Sequence, residues 1–470
     1  MDHPLVFEIN TRCWLRALSD SCARPVTLDS VPDWQFAAWQ NAGFTHLWLM
    51  GVWRTGPKAL ALARAQPALR NLCREAFGAV HDEDIAASPY AIADYAVAEC
   101  FGGNGALRTF RQRLRRRGIG LLLDFVPNHL GVDHPWVAAR PELFVHCSEP
   151  RPETFPLGAR WIACGKDPNS PAWTETAQLD YRVPAARAAM RGLLQSAANQ
   201  CDGLRCDMAM LVLEDVFAST WRHFPGGAPS GGGEFWAEAI SSVKREHPAF
   251  LFIAEAYWNL ERRLHELGFD YAYDKGFYDC LARRRPDALR GHLHGVGTGF
   301  CPVRFLENHD EPPIASILDF PEQQAAAVFL LSQPGMRLLH DGQLTGRKRR
   351  TPVQLARYWP EPPDPATSAF YSALLSALPQ TAIGGSAMAL LETDAPGAFV
   401  TQWKGGEARG GLSAVNLTGQ PIRLGVASLE PGPWRMRTIL AGAGSTWNRS
   451  AGPLRIHLPP HGFLMLELAR

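Results

Sequence analysis

From the N-terminus to about residue 375, short apolar runs alternate with longer amphipathic stretches, and no other feature restricts the chain as much. The run at 120–126, GLLLDFV, is nearly all apolar, as a strand covered on both faces must be. The spacing predicts further strands over 7–10, 45–50, 203–211, 250–254, 303–306 and 337–340. Helical periodicity fits 104–117, 185–198, 234–246 and 321–331, with Gly118 placed to end the first of these. Strand–helix alternation of this length indicates a parallel α/β fold.

Spacing divides the chain further. A plain strand–helix unit of such a fold takes about 30 residues, but Asp124 and Asp207 lie 83 positions apart. The intervening stretch 130–184 is rich in proline and aromatics and lacks clear periodicity, as in His134-Pro135-Trp136 and Asp167-Pro168. It reads as an inserted, loop-rich subdomain. The segment 225–233 (PGGAPSGGG) reads as a loop by composition. Beyond residue 380, short strands over 397–403, 411–416, 421–426, 434–439, 454–458 and 463–468 are separated by Gly, Pro and Asn, the pattern of a small antiparallel sandwich. The expected organisation is therefore a body made of 1–129 and 185–380, an insert at 130–184 and a C-terminal sandwich at 381–470.

Charge and cysteine usage exclude several function classes. Lys+Arg is 47 and Asp+Glu is 46, a formal net charge of +1. Nucleic-acid and membrane-surface partners both call for a basic field, so neither is expected. The ten cysteines are scattered and none forms a CxxC pair, which fits packing in a reducing compartment better than a metal or redox motif. No basic segment followed by an apolar one opens the chain, and no apolar run is long enough to span a bilayer. A cytoplasmic protein is the expectation, and its oligomeric state stays open.

Four polar clusters each end an apolar strand: Asp124-Phe-Val-Pro-Asn128-His129, Gly203-Leu-Arg205-Cys-Asp207, Ile253-Ala-Glu255-Ala and Glu307-Asn308-His309-Asp310. Charged groups avoid buried strand ends unless a site needs them. In a parallel barrel all such ends converge on one face, where barrel active sites lie. In this order the segments resemble the conserved regions of the α-amylase superfamily of retaining α-glycosidases and transglycosylases (glycoside hydrolase family 13). D-x-V-x-N-H is matched at Asp124, Val126, Asn128 and His129, and G-x-R-x-D at Gly203, Arg205 and Asp207. Glu255 ends the acid strand and Asn308-His309-Asp310 forms the N-H-D turn. Tyr90 and Asp94 sit in a segment similar to the family's Y-x-x-x-D-Y loop, and Asp180 in one similar to a fifth region. The resemblance covers about residues 5–375. It implies a (β/α)8 TIM barrel with an insert after its third strand and a C-terminal antiparallel β-sandwich.

The resemblance implies Asp207 as nucleophile, Glu255 as acid/base and Asp310 as the third carboxylate, binding sugar hydroxyls. Retention needs the first two about 5–5.5 Å apart across the scissile bond. Arg205 is two positions before Asp207 and so on the same strand face, where a guanidinium would orient that carboxylate. Apolar neighbours around Glu255 would raise its pKa. Tyr90, His129, Arg205 and His309 are expected at the substrate, with Asp124 and Asp94 supporting from behind. The chemistry requires no cofactor; Ca²⁺ stays a candidate, with Asn128 and Asp180 as its ligands and the remaining donors untraced. Cys206 should point away from the site by strand alternation, Trp173 and Trp258 read as core, and 113–117 (RLRRR) reads as a solvated face. The basic run 346–350 (GRKRR) reads as a solvated loop near the pocket, with an anion-binding role as the alternative.

One departure shapes the functional expectation. Starch-acting members often carry Lys-His three and four positions after the nucleophile, where this chain has Met210 and Leu211. The expected function is hydrolysis of α-glucosidic bonds in an α-glucan, malto-oligosaccharide or related α-glucoside by double displacement. The alternatives are a transglycosylase moving a glucosyl or maltosyl unit to a sugar acceptor, and a non-catalytic sugar-binding barrel.

Overall fold

The computed structural model describes residues 3–226, 233–296, 299–406, 408–426, 434–449 and 453–470. Eight parallel strands close into a barrel: Leu5–Asn10, His46–Met50, Gly120–Phe125, Gly203–Cys206, Leu251–Ala254, Tyr271–Tyr273, Pro302–Arg304 and Met336–His340. The first pairs with both the second and the eighth, which closes the ring.

Alternation along the strands sorts residues between two cores. Leu5, Phe7 and Ile9, Leu121, Leu123 and Phe125, and Leu204 and Cys206 face outward into the layer shared with the helices. Val6, Trp48, Leu122, Ile253, Tyr271, Tyr273, Val303, Phe305 and Leu338 fill the barrel interior. Two positions further along, in the same phase, come polar side chains: Glu8 after Val6, Asp124 after Leu122, Glu255 after Ile253, Glu307 after Phe305 and His340 after Leu338. A two-residue step keeps a side chain on the same face of a strand. The apolar filler therefore ends where the polar layer begins.

The sequence missed one barrel strand. Tyr271–Tyr273 is only three residues long, too short for any periodicity to register. It also extended the fourth strand too far, to residue 211. The strand stops at Cys206, and Ala209–Val212 turns into a 3₁₀ helix after Met208 enters the left-handed region at φ 43°. The apolar character of Met208–Leu213 reflects burial of that turn, with Met210 and Leu211 both inside.

Residues between the third and fourth strands form short antiparallel pieces, including Thr176–Gln178 paired with His129–Gly131 and the three-stranded sheet of His146–Cys147, Arg160–Ala163 and Thr154–Leu157. A second excursion, unforeseen, follows the second strand: Trp53–Thr55 pairs antiparallel with Ile92–Val97, and helices Pro57–Ala65 and Pro67–Phe77 lie between them.

From Ala387 onward a five-stranded and a three-stranded antiparallel sheet face each other. Alternation again divides the labour. Val400, Leu412, Ala414, Leu464 and Leu466 meet Leu424, Leu454 and Ile456 between the sheets. Phe399, Trp403, Val415, Phe463 and Met465 point the other way, into the barrel's helical layer. Phe399 lies 4.7 Å from Phe329, and the indole N–H of Trp403 donates to the Ser332 carbonyl at 2.9 Å. Most of the 225–233 loop lies outside the described residues. Among the described residues, no helix is long and apolar enough to cross a membrane.

Candidate active site

Asp207, Glu255 and Asp310 line one cavity of about 240 Å³, together with Ser88, Tyr90, His129, Trp173, Glu175, Thr176, Met208 and Gln354. The ladder delivers the first two side by side. The Asp207 N–H donates to the Phe125 carbonyl on the third strand, and the Glu255 N–H donates to the Cys206 carbonyl on the fourth. Cys206 itself points into the outer core.

Arg205 organises the carboxylates from below. One guanidinium nitrogen donates to Asp207 Oδ1 at 2.6 Å, and the other lies 2.8 Å from Glu255 Oε2. Asp124 Oδ1 stands 3.7 Å away, while its Oδ2 accepts from the Gly51 N–H at 2.9 Å. Trp48, Tyr90 and Tyr273 surround the guanidinium with ring faces at 5.3, 5.4 and 5.8 Å. A cation so enclosed stays charged through its carboxylates and rings. Arg205 does not line the cavity; it reaches Asp207 and Glu255 from behind them.

The electrostatics separate the carboxylates. Burial raises Glu255 to about 7, with Arg205 opposing and Asp207 adding to the rise. Glu255 Oε2 also accepts from the Met208 N–H at 2.7 Å, and Oε1 accepts from the Tyr257 hydroxyl at 2.8 Å. Burial raises Asp207 too, against the pull of Arg205. Desolvation in the cleft pushes Asp310 up, but His309, Arg205 and Arg350 outweigh it and hold it below the usual carboxylate range. The site thus holds a carboxyl that keeps its proton near neutrality, Glu255, beside an ionised one, Asp310; the first suits a proton donor to a leaving oxygen.

His309 is where the sequence reading was incomplete. Its Nδ1 meets Glu8 Oε1 at 2.5 Å, and its Nε2 lies 3.0 Å from Asp310 Oδ2 and 2.7 Å from the Tyr90 hydroxyl. Burial alone would strip its proton, but Asp310 and Glu8 overcome that and keep it an imidazolium. His309 therefore holds Asp310 through one ring nitrogen while Glu8 occupies the other. Glu8 was not singled out in the sequence. The signal was there: a lone carboxylate inside the apolar run Leu5–Ile9, in phase with Val6.

Other expectations divide. Tyr90 and His129 do line the cavity, with Tyr90 stacked on His309 at 5.6 Å and His129 against Trp173 at 5.0 Å. Burial lowers His129 to about 3, so it is neutral. Trp173 is a wall of the cavity and not core. Trp258 is not core either: it is 41% exposed, because Trp258 and Asn259 both take left-handed backbone (φ 63° and 61°) and turn the loop outward. Asp94 is exposed and pairs with Arg54 at 3.6 Å, so it does not support the site. In the basic run, Arg347 lies over Tyr358, Arg349 pairs with Glu75, and the Arg350 side chain donates to the Asp310 carbonyl at 2.6 Å. Arg113 and Arg115 pair with Asp33 and Asp202 on the surface.

The candidate Ca²⁺ ligands do not fit a metal. Asn128 Oδ1 accepts from Gln178 Nε2 at 3.0 Å. Both Asp180 oxygens accept from the Arg182 fork at 2.8 Å each. Ca²⁺ takes six to eight oxygens, and a guanidinium already faces this carboxylate. Among the described residues no group of three or more His, Cys, Asp or Glu could hold a metal ion.

The chain is similar in sequence and in fold to α-amylases. Residues 40–144 match the model of the α-amylase catalytic domain. The chain is 26% identical over 283 residues to the α-amylase MalA of Haloarcula japonica, covering 58% of this chain and 38% of that protein. It is 25% identical over 453 residues to the 1,4-α-glucan branching enzyme GlgB of Rhodococcus jostii, covering 80% and 58%. The chain thus spans less than two thirds of the length of these curated relatives. Among solved structures, the maltogenic α-amylase AmyB of Thermotoga neapolitana superposes with a TM-score of 0.70 at 19% identity, covering 99% of both chains. The acarbose complex of an α-amylase from Geobacillus thermoleovorans gives 0.71 at 18% identity, covering 100% and 98%.

Proposed function

We propose that this chain, which is similar to α-amylases and 1,4-α-glucan branching enzymes, cleaves α-glucosidic bonds with retention, using Asp207 as nucleophile and Glu255 as acid/base. The observation that carries this reading is the convergence of Asp207, Glu255 and Asp310 on one cavity. Asp207 attacks the anomeric carbon while Glu255 gives its proton to the departing oxygen. A covalent glycosyl-enzyme forms on Asp207. Glu255, now a carboxylate, then takes the proton from water, and the anomeric configuration is restored. Asp310, held ionised by His309, accepts hydrogen bonds from ring hydroxyls and favours the oxocarbenium-like transition state. Neutral His129 offers a hydrogen bond to the same ring, and Tyr90 an aromatic face.

Two features favour a short substrate or a chain end. The cavity of about 240 Å³ is below the ~300–1,000 Å³ of ordinary ligand pockets. Met210 and Leu211 are buried in the turn after the nucleophile and give no polar grip to leaving-group sugars. A malto-oligosaccharide or small α-glucoside fits these better than the interior of a long glucan. Transfer of the glycosyl unit to a sugar is the second reading, favoured by the similarity to branching enzymes.

The test is substitution at both carboxylates. D207N and E255Q should each lower turnover of maltose and maltotriose by about 10³-fold or more, with wild-type thermal unfolding. Retention of most activity by either variant overturns the assignment. Product sizes with and without added glucose as acceptor separate hydrolysis from transfer.

A further inference from the structure

Where the insert returns to the barrel, a buried ion pair stands outside the catalytic machinery. Asp180 follows the strand Thr176–Gln178, whose first residue lines the catalytic cavity, and precedes the helix Pro184–Ala198. Arg182 bends back onto it as a fork, with Nε to Oδ1 and Nη2 to Oδ2, both at 2.8 Å. The side chains are only 9% and 7% exposed. Two more of the guanidinium's donors are also used: Nη1 reaches the Phe224 carbonyl at 3.4 Å and Nη2 the Pro225 carbonyl at 3.1 Å. At Gly226 an added Cβ would lie 2.2 Å from Arg182 Cζ, so the chain there closes over the charged group with no room for a side chain.

The guanidinium is therefore surrounded by four oxygens from two separate parts of the chain, two of them anionic. Such an arrangement of carboxylate and carbonyl oxygens is what a hard cation would accept, and here the protein fills it with its own side chain. The same contact surface carries two further cations from the insert. Arg151 donates to the His223 carbonyl at 2.7 Å, and Lys166 lies over the Trp221 ring at 5.3 Å.

We infer that Arg182 is a built-in cation that locks the insert onto the segment after the fourth barrel strand, doing by hydrogen bonding what a bound metal ion would otherwise do. It is a positioning residue. The insert supplies Trp173, Glu175 and Thr176 to the cavity, and Arg182 fixes the base from which they project. A planar fork satisfying a carboxylate and two carbonyls together is a task for Arg and not Lys.

The full-length chain tests this by thermal unfolding and by steady-state kinetics on maltotriose. Wild-type protein should unfold at the same temperature, within about 1 °C, in millimolar CaCl₂ and in millimolar EDTA, since a ligand that does not bind the folded state does not shift it. R182A should lose about 5 °C or more, as expected for an uncompensated buried carboxylate, and should raise KM more than it lowers kcat. Millimolar guanidinium chloride, far below denaturing levels, should restore part of both losses in R182A, while tetramethylammonium chloride should not. R182K should fall between R182A and wild type. A wild-type protein that is destabilised by EDTA and recovers with Ca²⁺ overturns the inference, as does an R182A variant with wild-type unfolding and KM. If R182A does not fold, the R182K and metal arms decide. The unfolding and metal arms are independent of the proposed reaction, so failure there is distinguishable from failure of the glycosidase reading.

Discussion

Replacing Tyr257 by phenylalanine removes one atom from the site and moves one number. The Tyr257 hydroxyl donates to Glu255 Oε1 at 2.8 Å, and a donor at that position stabilises the ionised carboxyl. Glu255 titrates at about 7 and must be protonated to deliver its proton to the leaving oxygen. Activity should accordingly fall as pH rises through about 7, which makes Glu255 the alkaline limb of kcat/KM. A hydrogen bond to a charged group contributes roughly 1.5–3 kcal/mol. Two stronger partners of Glu255, Arg205 and the Met208 N–H, remain in the variant, so the lower end applies. About 1.5 kcal/mol at about 1.4 kcal/mol per pKa unit is a shift of about one unit. Removing the donor penalises the anion, so the pKa rises and the alkaline limb of Y257F moves to higher pH by about one unit. The assay is kcat/KM on maltotriose from pH 4 to 10 at constant ionic strength. The acidic limb, set by ionisation of Asp207, should stay in place. An alkaline limb that is unmoved, or that shifts downward, refutes Glu255 as the proton donor controlled by this contact.

Further predictions follow from individual contacts. E8Q should deprive His309 of its buried counter-ion, loosen Asp310 and lower kcat by about 10- to 100-fold, measured beside wild-type far-UV circular dichroism. D94A should leave kcat/KM unchanged and stability within about 0.5 kcal/mol, because Asp94 is exposed, pairs with an exposed Arg54 and does not line the cavity; urea titration checks this. W403A should destabilise by about 3–5 kcal/mol, since Trp403 is fully buried between sandwich and barrel and bonded to Ser332. Its kcat in the folded fraction should hold.

The fold was legible where strands were long enough to show a pattern. Leu121–Leu123 is apolar on both faces because helices cover one and barrel filler the other, and the sequence shows both. Tyr271–Tyr273 carries three residues and no pattern, so only its neighbours in the closed barrel reveal it. The catalytic carboxylates were legible because each ends an apolar strand, a costly place for a charge without a purpose. Glu8 ends no strand and belongs to none of the four polar clusters, so its partnership with His309 across 301 positions appears only in three dimensions. Arg205 and His309 both prove to be engaged by buried carboxylates. Periodicity gives the face a side chain occupies, but not whether its donors are already taken by other carboxylates. Asn128 and Asp180 looked available to a metal for the same reason, because Arg182 reaches Asp180 by a bend that spacing does not reveal.

The central claim is that Asp207 forms a bond to the sugar. A 2-deoxy-2-fluoro α-glucosyl fluoride should react with the enzyme and stop at the covalent stage, because the electron-withdrawing fluorine slows both displacements. Peptide mass mapping of the trapped protein should then find the added fluoroglucosyl group on the fragment containing Asp207, and its absence in D207N. A label on another carboxylate, or a first-formed product of inverted configuration with no label at all, would contradict the account.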